Sequence, residues 1–172
     1  MNNYQAIRNN VIIGDILLTR DIDSPISKVI SGVTHGYWSH IILYLGDGKI
    51  LETNEKGVYI RSLEDYLDGS YDLGLFRIKP PLENKILQKV VQEARKLTGT
   101  HYNWLQLFWQ FILRLCGKSE DPDFSLDVGP GMICTEVVAT AYKRVGIEFK
   151  SIPPHQMEPI DFDESSITVR IV

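Results

Sequence analysis

The chain has 172 residues, enough for one domain with a buried core and a cleft, and too few for two full domains. Its 44% hydrophobic and 23% charged residues are ordinary globular values that exclude a disordered or fibrous class. A formal net charge of -4 with no basic run excludes the clustered Lys and Arg that phosphate-backbone binding needs, so no nucleic-acid partner is expected.

In chain order, the N-terminus MNNYQAIRNNVIIGD lacks the charged segment, apolar core and small-residue cleavage site of a signal peptide, so a cytoplasmic location is expected. Residues 15–20 (DILLTR) read as a strand. Ser24 and Pro25 supply the N-cap and first-turn pairing of a helix with Ile26, Val29 and Ile30 on one face. Strands follow at 39–45, 49–53, 58–61 and 73–78, bounded by Gly, Asn and Asp, and read as a meander. Between the last two, SLEDYL (62–67) reads as a single capped turn.

After Pro80-Pro81, the apolar residues Leu82, Ile86, Val90, Ala94 and Leu97 step at helical spacing, with Gly99 as a C-cap. A second helix is expected over 103–115, a Gly/Pro-rich loop over 118–132, a third helix over 134–144 and a closing strand over 167–172. The apolar run WLQLFWQFILRL (104–115) is shorter than the ~20 residues of a spanning helix and is interrupted by Gln106, Gln110 and Arg114, so it is not expected to cross a membrane. Strands first and helices later favour an α+β fold with an antiparallel sheet of about five or six strands, organised as one domain over 1–172.

The stretch SHIILYLGDGKILE (39–52) carries the first chemistry-bearing pair. With Gly46-Asp47-Gly48 as a three-residue loop, Leu45 would pair with Lys49 and Ile42 with Glu52. His40 and Glu52 are then diagonal neighbours on one face, about 7–8 Å apart at the backbone. A two-residue loop would instead put them on opposite faces. A carboxylate on one imidazole nitrogen sets the tautomer and frees the other nitrogen to exchange a proton with a nucleophile. On spacing alone, an exposed histidine beside an exposed glutamate fits as well.

Cys134 stands where GPGMI meets the helix CTEVVATAYKR, at a helix N-terminus whose N–H groups and dipole favour a thiolate and a developing oxyanion. Taken alone, it fits equally as a small buried hydrophobe. Cys116 closes an apolar helix, where the dipole has the opposite sign, and reads as structural; free thiols rather than a disulfide are expected. His35, His101 and His155 make no metal-ligand spacing with each other or with a cysteine, so neither a metal nor a cofactor is expected.

GDILLTR, SHIILYLGDGKILE and GVYIRSL together resemble the core of the NlpC superfamily of papain-like cysteine peptidases and amidases. In the ordinary family the cysteine precedes this block. Here it follows, on ICTEVVATAYKRVGI, which looks like the circularly permuted branch with the YaeF/YiiX-like enzymes and, more distantly, the lecithin:retinol acyltransferase-like proteins. LTGTHYNW (97–104) is similar to the family segment whose tyrosine assists the oxyanion hole. The resemblance implies Cys134 as nucleophile, His40 as base, Glu52 as third member and Tyr102 as that tyrosine.

Two departures stand out. Ile133 precedes the cysteine and Thr135-Glu136 follow it, where the ordinary family has Asp before and Ser-Gly after; and Glu52 replaces the usual His, Asn or Gln. The first is better tolerated in the permuted branch and weakens the inference of a cell-wall peptide substrate. The implied activity is a cysteine amidase or peptidase working through a thioester on a small-molecule, peptide or acyl-lipid substrate. A thiol acyltransferase, thioesterase or lipase acting on lipid-like substrates is the alternative, since permuted relatives imply a more hydrophobic pocket. A binding module without catalysis is a third class. The residues leave the oligomeric state open, and with it whether 104–115 is core, pocket wall or lipid contact.

Overall fold

The computed structural model describes residues 3–23, 36–103 and 131–172. The helix expected from Ser24, the apolar run 104–115, Cys116 and nearly all of the loop expected at 118–132 lie outside them.

Six strands among the described residues form one sheet: β1 (Ile16–Asp21), β2 (His40–Gly46), β3 (Lys49–Asn54), β4 (Gly57–Ser62), β5 (Tyr71–Ile78) and β6 (Thr168–Arg170). Their order is β4-β3-β2-β1-β5-β6, and every pairing is antiparallel. The expected meander of β2 to β5 therefore holds for β2 to β4 and then breaks. β5 pairs with β1 instead of β4, Ile16 opposite Phe76 and Leu17 opposite Leu75. The reason lies in SLEDYL: Leu63, Tyr66 and Leu67 are apolar enough to be buried, so the chain crosses the sheet face through a 3-10 turn at Leu63–Tyr66.

Alternation along the strands sorts the core into two layers. On one face Ile16, Leu18, Ile41, Leu43 and Leu51 pack against α2 (Asn84–Arg95) and α3 (Cys134–Lys143), through Val90, Ala94, Val137, Val138 and Ala141. On the other face Leu17, Ile42, Ile50 and Leu75 meet the crossover and α1 (Tyr4–Asn10). α1 was not expected. It is two turns long, too short for a period to show, and it is anchored by Tyr4 and Ile7 in the core and by Tyr4 Oη donating to Tyr71 O at 2.6 Å. A second unexpected helix, α4 (Pro159–Asp163), has a legible start: Glu158 and Asp161 form a reciprocal capping box around Pro159 at the first turn, with Phe162 buried.

Asp15, at the head of β1, is 1% exposed and takes a forked contact from Arg77, Nε to Oδ1 at 2.8 Å and Nη2 to Oδ2 at 2.7 Å. Its Oδ2 also accepts the Ile12 N–H at 2.8 Å. Tyr142 of α3 donates its hydroxyl to Gly14 O. The Gly-Asp start of the strand thus joins β1, β5 and the cysteine-bearing helix.

Candidate active site

The β2–β3 turn differs from the three-residue loop expected, while the register beyond it is the one expected. Gly46 pairs with Lys49, leaving a two-residue turn, Asp47-Gly48, with φ of 52° and 67°. Positive φ at both positions is what the tight hairpin turn requires, and Asp and Gly tolerate it. Leu45 is then an extra residue, a bulge between Tyr44 and Gly46, and pairing resumes with Tyr44 opposite Ile50 and Leu43 opposite Leu51. The bulge adds back the residue that the shorter turn removes. His40 and Glu52 consequently share a face, and His40 Nε2 donates to Glu52 Oε1 at 2.7 Å.

Glu52 is fully buried, yet its carboxylate has a donor at each oxygen. Thr53 N–H reaches Oε1 at 2.8 Å, the Tyr66 hydroxyl donates to Oε2, and Arg61 Nη1 lies 4.0 Å from Oε2. Burial pushes the Glu52 pKa up, but the charge and hydrogen bond of His40, with Tyr66 and the Thr53 amide, bring it down to about 2. Burial likewise pushes His40 down, and the negative charges of Glu52 and Cys134, with a hydrogen bond to each, hold it well above its ordinary value. Glu52 occupies Nε2, which leaves Nδ1 as the nitrogen available to serve Cys134.

Cys134 is a free thiol, 8% exposed, and the first residue of α3. Ile133 before it is extended, and the first i to i−4 bond of the helix runs from Val137 N–H to Ile133 O at 3.1 Å. The N–H groups of Cys134, Thr135 and Glu136 precede that bond and have no carbonyl within the helix to receive them. Glu136 in the first turn complements the dipole.

Tyr102 reaches this helix start through a backbone clasp. Gly99 N–H donates to Val58 O and Val58 N–H to Thr100 O, at 2.8 and 2.9 Å, laying the chain along the edge of β4. Met132 N–H then bonds His101 O at 2.9 Å and Asn103 N–H bonds Met132 O at 3.2 Å, so Tyr102 forms a parallel bridge with Met132, two residues ahead of Cys134. Two glycines permit the approach: a Cβ on Gly57 would sit 2.5 Å from Thr100 O, and one on Gly131 2.5 Å from His101 O. Burial first, then the charges of Cys134 and Glu52, raise the Tyr102 pKa and keep its hydroxyl protonated.

All four residues singled out in the sequence thus lie at one place. Tyr66 is the member that sequence reasoning passed over. Its signal was faint: a tyrosine in a short turn after β4, whose destination depends on where the crossover lands.

The fold is papain-like α+β, and in it the cysteine helix follows the histidine hairpin along the chain. Among solved structures the chain is similar to the crystal structure of the metalloprotein YiiX from Escherichia coli O157:H7, DUF1105. Identity is 18% and the TM-score 0.65, over 93% of this chain and 96% of that one. The likeness spans nearly all of both chains and defines a YiiX-like fold. No protein-family model and no curated protein matches the chain.

The described residues around His40 do not converge on a metal ion. Ligands must converge within about 2.0–2.3 Å of one ion, whereas His40 stands between Glu52 and Cys134 with its nitrogens pointing apart. Among the described residues no group of three or more His, Cys, Asp and Glu is placed to hold one. No helix among them is long and apolar enough to cross a membrane.

Proposed function

We propose that this chain is a cysteine hydrolase of the circularly permuted NlpC type, one domain over residues 1–172, that cleaves an amide or related acyl bond. The observation that carries the reading is His40 bound through Nε2 to a buried, ionised glutamate, with Cys134 close enough to help raise its pKa. A surface histidine and a structural cysteine would need neither contact.

In this reading Cys134 gives its proton to His40 Nδ1, and Sγ attacks the carbonyl carbon of the substrate. The oxyanion that forms lies toward the N–H groups at the start of α3 and the Tyr102 hydroxyl. His40 returns the proton to the departing amine as the C–N bond breaks, leaving a thioester on Cys134. Water then attacks, its proton passing to Nδ1, and collapse of the second tetrahedral species releases the acid and restores the thiolate. Glu52 keeps Nε2–H directed at itself throughout, so that Nδ1 faces the reacting atoms.

Iodoacetamide at mildly acidic pH, mapped by mass spectrometry, is expected to label Cys134 at least about tenfold faster than Cys116. The His40→Ala variant should lose that preference, and equal rates in the unaltered chain would overturn the proposal. Matched aminoacyl and fatty-acyl amides then assign the acyl class. Turnover surviving Cys134→Ala would remove the nucleophile.

A further inference from the structure

Glu52 presents a problem of physical chemistry that the catalytic residues alone do not solve. A carboxylate with no exposed surface should take up a proton, unless donors replace the water it has lost. A protonated Glu52 would no longer hold an imidazolium. Three elements face it. His40 comes from β2; Arg61 comes from β4, its Nη1 4.0 Å from Oε2 and its Nε committed to Asp65 at 2.8 Å; Tyr66 comes from the crossover. Tyr102 and Tyr71 lie near enough to feel the same charge. Within this set Tyr66 is the side-chain hydroxyl that donates to Oε2, the oxygen that His40 and the Thr53 amide leave uncovered.

The Tyr66 ring is fixed from both sides. It lies 4.5 Å between centroids from Tyr71, Arg61 stands over it at 5.2 Å, and only 4% of the residue is exposed. The hydroxyl therefore cannot swing away without opening the second core layer.

We infer that Tyr66 is a positioning residue of this site: its hydroxyl holds Oε2 of Glu52 and keeps that carboxylate turned toward His40, and so secures the charged imidazole that faces Cys134. The inference rests on the reading of Cys134 and His40 given above, and it extends the site to the β4–β5 crossover. Tyr66 does not touch the reacting atoms. Its influence passes through Glu52, and removing the hydroxyl should weaken the hold on the His40 proton without moving the ring.

The test is the NMR titration of the His40 ring in the full chain, unaltered and as Tyr66→Phe, beside the rate of Cys134 alkylation against pH. Tyr66→Phe is expected to move the His40 midpoint downward and to slow alkylation at neutral pH by about tenfold, the loss of one hydrogen bond to a charged group. In a Glu52→Gln background the same substitution should move the midpoint no further. An unchanged midpoint in Tyr66→Phe, with native circular dichroism, would overturn the role of Tyr66 whether or not Cys134 is the nucleophile. An equal shift in the Glu52→Gln background would also overturn it, by showing an effect that bypasses the carboxylate. Should Tyr66→Phe fail to fold, Tyr66→Met, which also lacks the donor, replaces it under the same readings: a lowered midpoint supports the inference, and an unchanged one overturns it. Slow, pH-independent alkylation of the unaltered chain alongside a normal midpoint shift would instead sink the hydrolase reading and leave Tyr66 in place.

Discussion

Glu52 carries the sharpest consequence at the scale of single residues, because its pKa falls from 4.5 to about 2 on folding. A lowered carboxylate stabilises the fold above its unfolded value, and that contribution is lost as pH falls from about 4.5 toward 2. The size is roughly 3 kcal/mol, from about 1.4 kcal/mol per unit. His40 has the opposite sign: a raised histidine stabilises fully below its unfolded value near 6.5, and the contribution disappears as pH climbs through its higher folded value. Thermal unfolding followed across pH should therefore show a loss of stability on the acid side that Glu52→Gln flattens. An identical acid limb in that variant would contradict the ionised, buried carboxylate. The residue types and their shared face were readable from SHIILYLGDGKILE, and the partner of Oε2 was not, since no local pattern links residue 52 to residue 66.

At the scale of elements, the clasp of residues 99–102 between β4 and the approach to α3 depends on Gly57, whose φ is +93°. Gly57→Ala brings a Cβ within 2.5 Å of Thr100 O in a backbone conformation that alanine resists. A cost of about 1–3 kcal/mol is expected in urea unfolding. Slower Cys134 alkylation should accompany it, because Tyr102 and Met132 move with the clasp; full alkylation at full stability would show the clasp to be dispensable. Thr135 offers a contrasting case. Its hydroxyl is buried in the first turn of α3 and has no hydrogen-bond partner among the described residues. Thr135→Val removes that unmet group, so stability should rise by about 1 kcal/mol by the same measurement. A fall of that size would show that the hydroxyl is satisfied.

The β2–β3 turn shows what element reading resolves and what it misses. Both a three-residue loop and a two-residue turn with a bulge satisfy the sequence Gly46-Asp47-Gly48, and both bring Ile42 opposite Glu52. Packing of the two layers selects the register, because a slip of one residue would carry the side chains of β3 from one core layer to the other and part Glu52 from His40. Turn chemistry alone does not choose between the two backbones.

On the scale of the whole molecule, the two core layers share one sheet, and Asp15, Arg77, Gly14 and Tyr142 tie its centre to the cysteine helix. One cooperative unit should follow. Urea transitions followed by far-ultraviolet circular dichroism and by tryptophan fluorescence are expected to coincide, and separated midpoints would point to two folding units. Arg77→Met leaves Asp15 buried without its partner, and about 3–5 kcal/mol of destabilisation is expected from the same curves.

The amino-acid sequence by itself determined the α+β class, most of the strands, the helix that begins at Cys134 and the pairing of His40 with Glu52. Each of these rests on local chemistry: a period of two or of 3.6, a glycine able to turn, an apolar face that must be buried. Tertiary structure alone decided that β5 crosses to β1, that Tyr66 lands on Glu52 and that Tyr102 is drawn to the start of α3. Those outcomes depend on which buried surfaces meet across some 14 to 60 residues of chain, and the free energy of such meetings belongs to the packed molecule, not to any segment of it.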